Sequence, residues 1–401
     1  MTNDNSGKSG ISQIRRVIEN RLAWRQLGKM PGKPAVARSN TLAEKLQNKG
    51  PEPLRVGIAG FNSPTGLGYQ NRDLVTHVGF SKWLCVKHAY LPNLPDMPGI
   101  ETSHVTLEAS DEELDSWLEG LDCVLFYEQP QIDALVCRAV AKEIAVICIP
   151  NWEWLSPSVT WLHDVDLFIC PNEHTLNLLK NWKANCGAIW DIAYVPAPID
   201  TDRFGYKERT KCESFLFVNG NGGCTPYFKG FLRDKRGPMR KGLATIIEAA
   251  KLVPDIPIYI RSQLKKLPVD LPVNIEILPD EADNSKIYNI GDVAIQPSLF
   301  EGTGLQLLET LSTGMPLIST DAPPMNEMPN ISRLPVQSRY ARIANNIIPV
   351  NLPDYEFLAK SMRELFETDI SRESAAARDF IVQNHSWPVA KAAMNKLLGL
   401  F

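Results

Sequence analysis

From Leu54 onward the chain alternates short apolar runs with segments of helical period. Leu54-Arg55-Val56-Gly57-Ile58-Ala59-Gly60 is followed by a loop and by a helix expected from about Tyr69 to Val78. Further apolar runs occupy 121–127, 144–150, 165–170 and 192–195, with helical stretches between several of them. Continuous runs of this length suit parallel strands buried on both faces. Their alternation with helices points to an open α/β sheet. A proline-bearing crossing, Val195-Pro196-Ala197-Pro198-Ile199-Asp200, interrupts the pattern, which then restarts. The second series has a strand at Ser214–Val218 and a helix at Leu243–Leu252. Strands are expected near 256–260, 273–278, 292–296 and 316–319, with a helix over Gly304–Ser312. The predicted architecture is two doubly wound, Rossmann-like units facing across a cleft, with ligands at the carboxyl ends of the strands.

Residues 1–53 read differently. An amphipathic helix is expected from Ile11 to Trp24 and another around 41–49, separated by Met30-Pro31-Gly32-Lys33-Pro34. This zone is expected to be an appendage, partly helical or disordered. Its Arg15, Arg16, Arg21 and Arg25 read as a solvated helix face sooner than as an anion site. The expected division is 1–53 as extension, 54–205 as the acceptor-side domain and 206–384 as the donor-side domain. A helix over 385–401 is expected to cross back to the first domain.

Composition changes this picture little. At 401 residues the chain exceeds what one core organises. It is 44% hydrophobic and 22% charged, and its net charge of -4 gives no overall attraction to nucleic acid or an anionic membrane. No apolar run approaches a bilayer span, and Met1–Arg21 lacks the apolar core of a signal peptide. The eight cysteines form no CxxC pair or close Cys/His cluster, which argues against structural zinc and for a reducing compartment. A cytoplasmic location is therefore expected.

The chemistry concentrates in Asp292–Glu309, where a buried strand ends at Pro297-Ser298 and a loop with Gly302 and Gly304 opens a helix. Glycines let backbone amides approach a ligand closely, and amides at a helix amino end favour phosphate. Glu301 and Glu309 are placed to accept hydrogen bonds from two separate sets of sugar hydroxyls. This segment resembles the E-x7-E motif of the family-4-like retaining glycosyltransferases (glycosyltransferases group 1) with the GT-B fold. Ser312-Thr313-Gly314-Met315-Pro316, Arg240-Lys241-Gly242-Leu243, the crossing that runs to Phe204, and His385-Ser386-Trp387 resemble further family segments in the family's order.

The resemblance implies that Glu301 contacts donor-sugar hydroxyls and Glu309 the ribose. Backbone around Gly302, Thr303, Gly304 and Leu305 would face the sugar and diphosphate, with Lys241 offsetting the leaving group's charge. Gly66 and Gly68, in Ser63-Pro64-Thr65-Gly66-Leu67-Gly68, match the family's first glycine loop, and Asn219 and Gly220 stand where a second diphosphate loop begins. The family's usual arginine after that strand is absent. Arg240 is the favoured substitute among Lys229, Arg233, Lys235, Arg236 and Arg240. The family's usual acceptor-domain histidine is also absent, leaving Glu153 between Trp152 and Trp154 as the nearest ionisable group.

The implied activity is retaining, metal-independent transfer from a nucleoside-diphosphate sugar to an unidentified acceptor. No metal or other cofactor is expected. Asp164-Val165-Asp166 has D-x-D spacing, but Asp166 is read as the start of a strand. Two alternatives stay open: a viral-type enzyme that glycosylates DNA bases, and a non-catalytic sugar- or nucleotide-binding module of the same fold.

Overall fold

The structure is a computed structural model and describes residues 31–32, 34, 39–48, 50, 52–220, 240–262, 271–279, 281, 283–343 and 346–398. The Ile11–Trp24 segment and the cations Lys229, Arg233, Lys235 and Arg236 lie outside the described residues.

After helix α1 (Thr41–Gln47), the first unit runs β1 (Val56–Phe61), α2 (Gly66–Val78), β2 (Lys82–Val86), β3 (Glu101–Val105), α3 (Asp111–Leu118) and β4 (Cys123–Glu128). It continues with α4 (Asp133–Ala141), β5 (Ala145–Pro150), β6 (Leu167–Cys170), α5 (Glu173–Cys186) and β7 (Asp191–Tyr194). The seven strands are parallel in the order β3-β2-β1-β4-β5-β6-β7.

The second unit contains β8 (Phe215–Asn219), α6 (Leu243–Leu252), β9 (Ile258–Ser262), β10 (Ile275–Leu278), β11 (Val293–Gln296), α7 (Leu305–Ser312), β12 (Leu317–Thr320) and β13 (Asn330–Leu334). Its six strands are also parallel, in the order β10-β9-β8-β11-β12-β13. Both sheets reverse direction beside their first strand, which opens a ligand crevice at the carboxyl ends. The two-domain Rossmann-like expectation is met.

The antiparallel hairpin β14 (Val336–Ile343) and β15 (Asn346–Pro353) follows, then α8 (Tyr355–Leu365), α9 (Ser371–Asn384) and α10 (Trp387–Leu398). In α10, Trp387, Ala390, Met394 and Leu398 are buried in one cluster with Val56, Ile58 and Leu74 of the first unit. Leu42 of α1 joins the same cluster. Asp166 is structural: it accepts the amides of Thr41 at 2.9 Å and Val146 at 2.8 Å.

Several boundaries differ from the pattern. Helix α2 starts at Gly66 because the Thr65 hydroxyl accepts the Gly68 amide at 3.1 Å and caps it there. The strand expected near 256–260 begins at Ile258, since Pro254 and Pro257 cannot donate to a ladder. Among the described residues, no helix is long and apolar enough to cross a membrane.

Candidate active site between the two sheets

The loop after β11 is fixed from both ends. Thr320 Oγ1 donates to Ser298 O at 2.6 Å, and Leu299 donates its amide to Arg240 O at 2.8 Å. Gly304, with φ 73°, turns the chain into α7. Glu301 is only 2% exposed. Its Oε1 receives Lys241 Nζ at 2.6 Å and Gln306 Nε2 at 2.7 Å, and its Oε2 receives Arg240 Nη2 at 3.1 Å. Burial raises the Glu301 pKa, but the two cations more than reverse this and leave it at about 2. Burial pulls the Lys241 ammonium downward against the attraction of Glu301. Arg240 also lies over the Phe300 ring, 4.9 Å from its centroid.

The first unit closes over this loop. Trp152 Nε1 donates to Glu301 O at 2.7 Å, and Asn172 Nδ2 donates to Gly302 O at 2.8 Å. Thr303 Oγ1 donates to Asn151 Oδ1 at 2.8 Å and lies 3.1 Å from the Tyr127 hydroxyl, which accepts Gln70 Nε2 at 2.7 Å. Glu153, 3% exposed, rests against Gly302: a Cβ there would lie 2.5 Å from its Oε1, so a larger residue would have to displace the carboxyl. Burial is the main cause that raises the Glu153 pKa to about 7, opposed by Arg240, whose Nη2 is 3.7 Å away, and reinforced by Glu128 and Glu301. Its Oε2 has no hydrogen-bond partner.

The structure thus brings Glu301, Glu153, Arg240, Lys241, Gly302 and Thr303 into one cluster. Gly66 faces this loop at Leu305, whose Cδ1 lies 3.7 Å from where a Gly66 Cβ would stand. Gly68 is required by packing, because a Cβ would sit 2.0 Å from Ser63 O. Both glycines belong to the first turn of α2, not to a free loop. Glu309 stands apart from Glu301. It accepts the Tyr288 hydroxyl at 2.5 Å, and burial raises its pKa against that bond. Asn219 is buried, its Nδ2 3.4 Å from Ser262 Oγ, and Gly220 is half-buried at the end of β8. Arg72 donates to Asn62 Oδ1 and Pro95 O and so holds the loop after β2.

The pattern of the sequence did not single out Glu128, Asn172, Glu327 or Tyr288. Glu128 was accessible in principle as an ionisable residue directly after a buried parallel strand, the place where ligands of such sheets collect. The other three are defined by partners distant in sequence.

Residues 235–330 match the family described as glycosyl transferases group 1. No curated protein matches the chain by sequence. Among solved structures, HepE of Anabaena in complex with UDP and glucose superposes with a TM-score of 0.59 at 10% identity, over 87% of this chain and 100% of that one. Sucrose-phosphate synthase from Thermosynechococcus elongatus gives 0.58 at 12% identity, over 85% and 97%. An α-glucosyltransferase in complex with UDP and a 13-mer DNA containing an HMU base gives 0.51 at 11% identity, over 86% and 100%. The chain is a GT-B-fold protein whose second domain carries the segment shared by the glycosyl transferases of group 1.

Proposed function

We propose that the chain transfers a sugar from a nucleoside-diphosphate sugar, held mainly by the second domain, to an acceptor held by the first. The observation that carries this reading is the buried Glu301 carboxylate, paired with Lys241 and Arg240 on a loop that first-domain side chains close over. Glu301 would accept hydroxyls of the donor sugar and Glu309 those of the ribose. Lys241 and Arg240 would offset the diphosphate, a charge-stabilising role that grows as the leaving group departs. With these two cations in place, transfer is expected to need no divalent metal. Retention of anomeric configuration and a cytosolic location belong to the same proposal. Glu153 is the candidate to orient or deprotonate the acceptor hydroxyl, since a carboxyl that titrates near 7 matches a general base at neutral pH.

In the closed arrangement Glu301, Lys241 and Arg240 are satisfied by one another, so donor entry must separate the domains and exchange those bonds for bonds to substrate. UDP-, GDP-, ADP- and dTDP-sugars screened by thermal shift test the reading, because a ligand bound only by the folded state raises its apparent stability. A shift from one or more of them, lost in Glu301→Gln, is expected. No shift and no donor hydrolysis with any of the four would overturn it and favour a non-catalytic module.

A nucleic-acid acceptor is the second reading. Its support is the likeness to the α-glucosyltransferase solved with DNA. The net charge of -4 weighs against it, because duplex binding draws on basic surface. A salt-dependent mobility shift with duplex DNA would favour it.

A further inference from the structure

Among the described residues three outside glycine have a positive φ: Glu128, Glu143 and Glu367. Glu143 and Glu367 are exposed and each lies two residues beyond the last residue of a helix, α4 and α8, where a left-handed residue commonly ends the helix. Glu128 is different. It ends strand β4 with φ 72°, is half-buried, and lies within reach of the charge of Arg240 in the second domain. A side chain other than glycine is held in that conformation at an energetic cost, and residues so held gather at functional sites.

The Glu128 side chain has a specific engagement. Its Oε1 accepts Asn151 Nδ2 at 3.1 Å. A carboxylate only accepts, so it settles which end of the Asn151 amide points toward it. The other end, Oδ1, is thereby turned to receive Thr303 Oγ1 at 2.8 Å. Thr303 belongs to the loop that also carries Glu301, and its hydroxyl is 3.1 Å from Tyr127 OH. Among the described residues, the charged groups that act on Glu128 and Glu153, besides each other, are Arg240 and Glu301, with Lys241 engaged by Glu301. Trp154 and Asn151 complete the surroundings of Glu128. His174 meets the edge of Trp152, beside Glu153.

We propose that Glu128 is a positioning residue for the transfer reaction: it orients Asn151 to hold Thr303 in the donor-facing loop, and its negative charge acts on the carboxyl of Glu153. This rests on the glycosyl-transfer reading of the site. A glutamine at position 128 would keep the shape but carry an amide of its own, so Asn151 would be free to flip and release Thr303. The charge lost would also no longer oppose ionisation of Glu153. A glycine would relieve the backbone while removing the side chain altogether.

The test compares wild type, Glu128→Gln and Glu128→Gly in two measurements. The first is hydrolysis of UDP-, GDP-, ADP- and dTDP-glucose against pH. The second is Tm against pH, which needs no substrate. Glu128→Gly is expected to melt at or above the wild-type temperature while hydrolysis falls about tenfold or more. In Glu128→Gln the limb near pH 7 in both profiles is expected to move to lower pH, the direction that loss of a like charge dictates. A Glu128→Gln protein with wild-type hydrolysis, or with an unmoved Tm profile, would overturn the proposal; so would a Glu128→Gly protein with wild-type turnover. Wild type inactive on all four donors sinks the glycosyl-transfer reading instead, and with it any role of Glu128 in the reaction.

Discussion

The carboxylate of Glu327 receives the backbone amide of His174 at 2.8 Å across the cleft, and that of Glu173 at 2.9 Å. A side chain of the second domain therefore caps helix α5 of the first. A carboxylate at a helix amino end satisfies orphan amides and meets the positive end of the helix dipole. Helix α5 has its own cap as well, with Asn172 accepting the Thr175 amide at 2.9 Å. The same Asn172 holds Gly302 from its other end, so the amino end of α5 is joined to the second domain at two neighbouring points, Glu327 and the Glu301 loop.

Glu327→Ala is expected to cost about 0.5–2 kcal/mol, the range for a lost helix cap. Because this cap spans the cleft, the loss should also loosen the domains. Small-angle scattering should give a larger radius of gyration, together with a lower Tm. Glu327→Gln, which keeps one acceptor oxygen, should change both by less. An alanine variant with wild-type radius and Tm would remove Glu327 from the interface energetics.

The Glu301–Lys241 pair leads to a second prediction. A glutamate in a ligand-facing glycine loop is, on sequence alone, a residue whose replacement by glutamine should spare folding. Its 2% exposure and its two cations revise that expectation. Removing one partner of a buried pair leaves a charge without compensation, and costs about 3–5 kcal/mol. Lys241→Met should fall in this range by denaturant unfolding, and Glu301→Gln somewhat lower because an amide still hydrogen-bonds. The double variant should lose less than the two singles together, since neither charge is then stranded. Turnover of Glu301→Gln should drop roughly ten- to a hundredfold, the rate equivalent of a lost charge-assisted hydrogen bond. Wild-type turnover in a folded protein would take Glu301 out of the chemistry.

What the sequence made legible has a physical pattern. Runs such as Ala145–Pro150 and Val293–Gln296 are buried at every position, so their apolar text is continuous and the parallel sheets can be read directly. Strand β3, Glu-Thr-Ser-His-Val, is an edge strand with only Val105 buried, and its polar text resembles a loop. The β14–β15 hairpin was missed because its stability comes from tertiary packing: Ala341, Ile348 and Val350 bury against Trp152, Leu299 and Phe300. The E-x7-E spacing located Glu301 but not its environment. Lys241 lies 60 residues away in sequence, and the groups that close over the loop, Trp152 and Asn172, belong to the other domain. Contacts of that kind leave no local periodicity to read.

The proposed charge arrangement also bears on metals and stereochemistry. If Lys241 and Arg240 offset the diphosphate, activity should survive EDTA, and addition of magnesium or manganese should change the rate by less than about twofold. The product's anomeric configuration, read by NMR, should match the donor's. Activity abolished by chelation and restored by a divalent cation would overturn the metal-free part. An inverted product would overturn the retaining part and leave the assignment of donor residues in place.

Glu153 gives the prediction with the clearest sign. Burial is the main cause that lifts its pKa to about 7, above the ordinary carboxyl value of the unfolded chain. Folding therefore favours the protonated form. The stability this contributes is fully present below the unfolded pKa and is lost as pH rises through the folded value near 7. Wild type should lose roughly 2–4 kcal/mol between pH 5 and 8 from this group. Glu153→Gln, which mimics the neutral carboxyl, should flatten that part of the curve and be the more stable protein at pH 8. Its catalytic behaviour should be opposite in sense. Without a carboxylate beside the acceptor, transfer should fall while donor affinity, measured by calorimetry, holds within a few fold; Glu301→Gln should disturb both. Denaturant unfolding at pH 5 and pH 8, beside transfer rates for the same two variants, checks both halves. A Glu153→Gln protein that transfers sugar at the wild-type rate would make the residue a buried acid with no part in the reaction. A pH–stability curve unchanged by the substitution would show that the pH dependence in this range comes from another group.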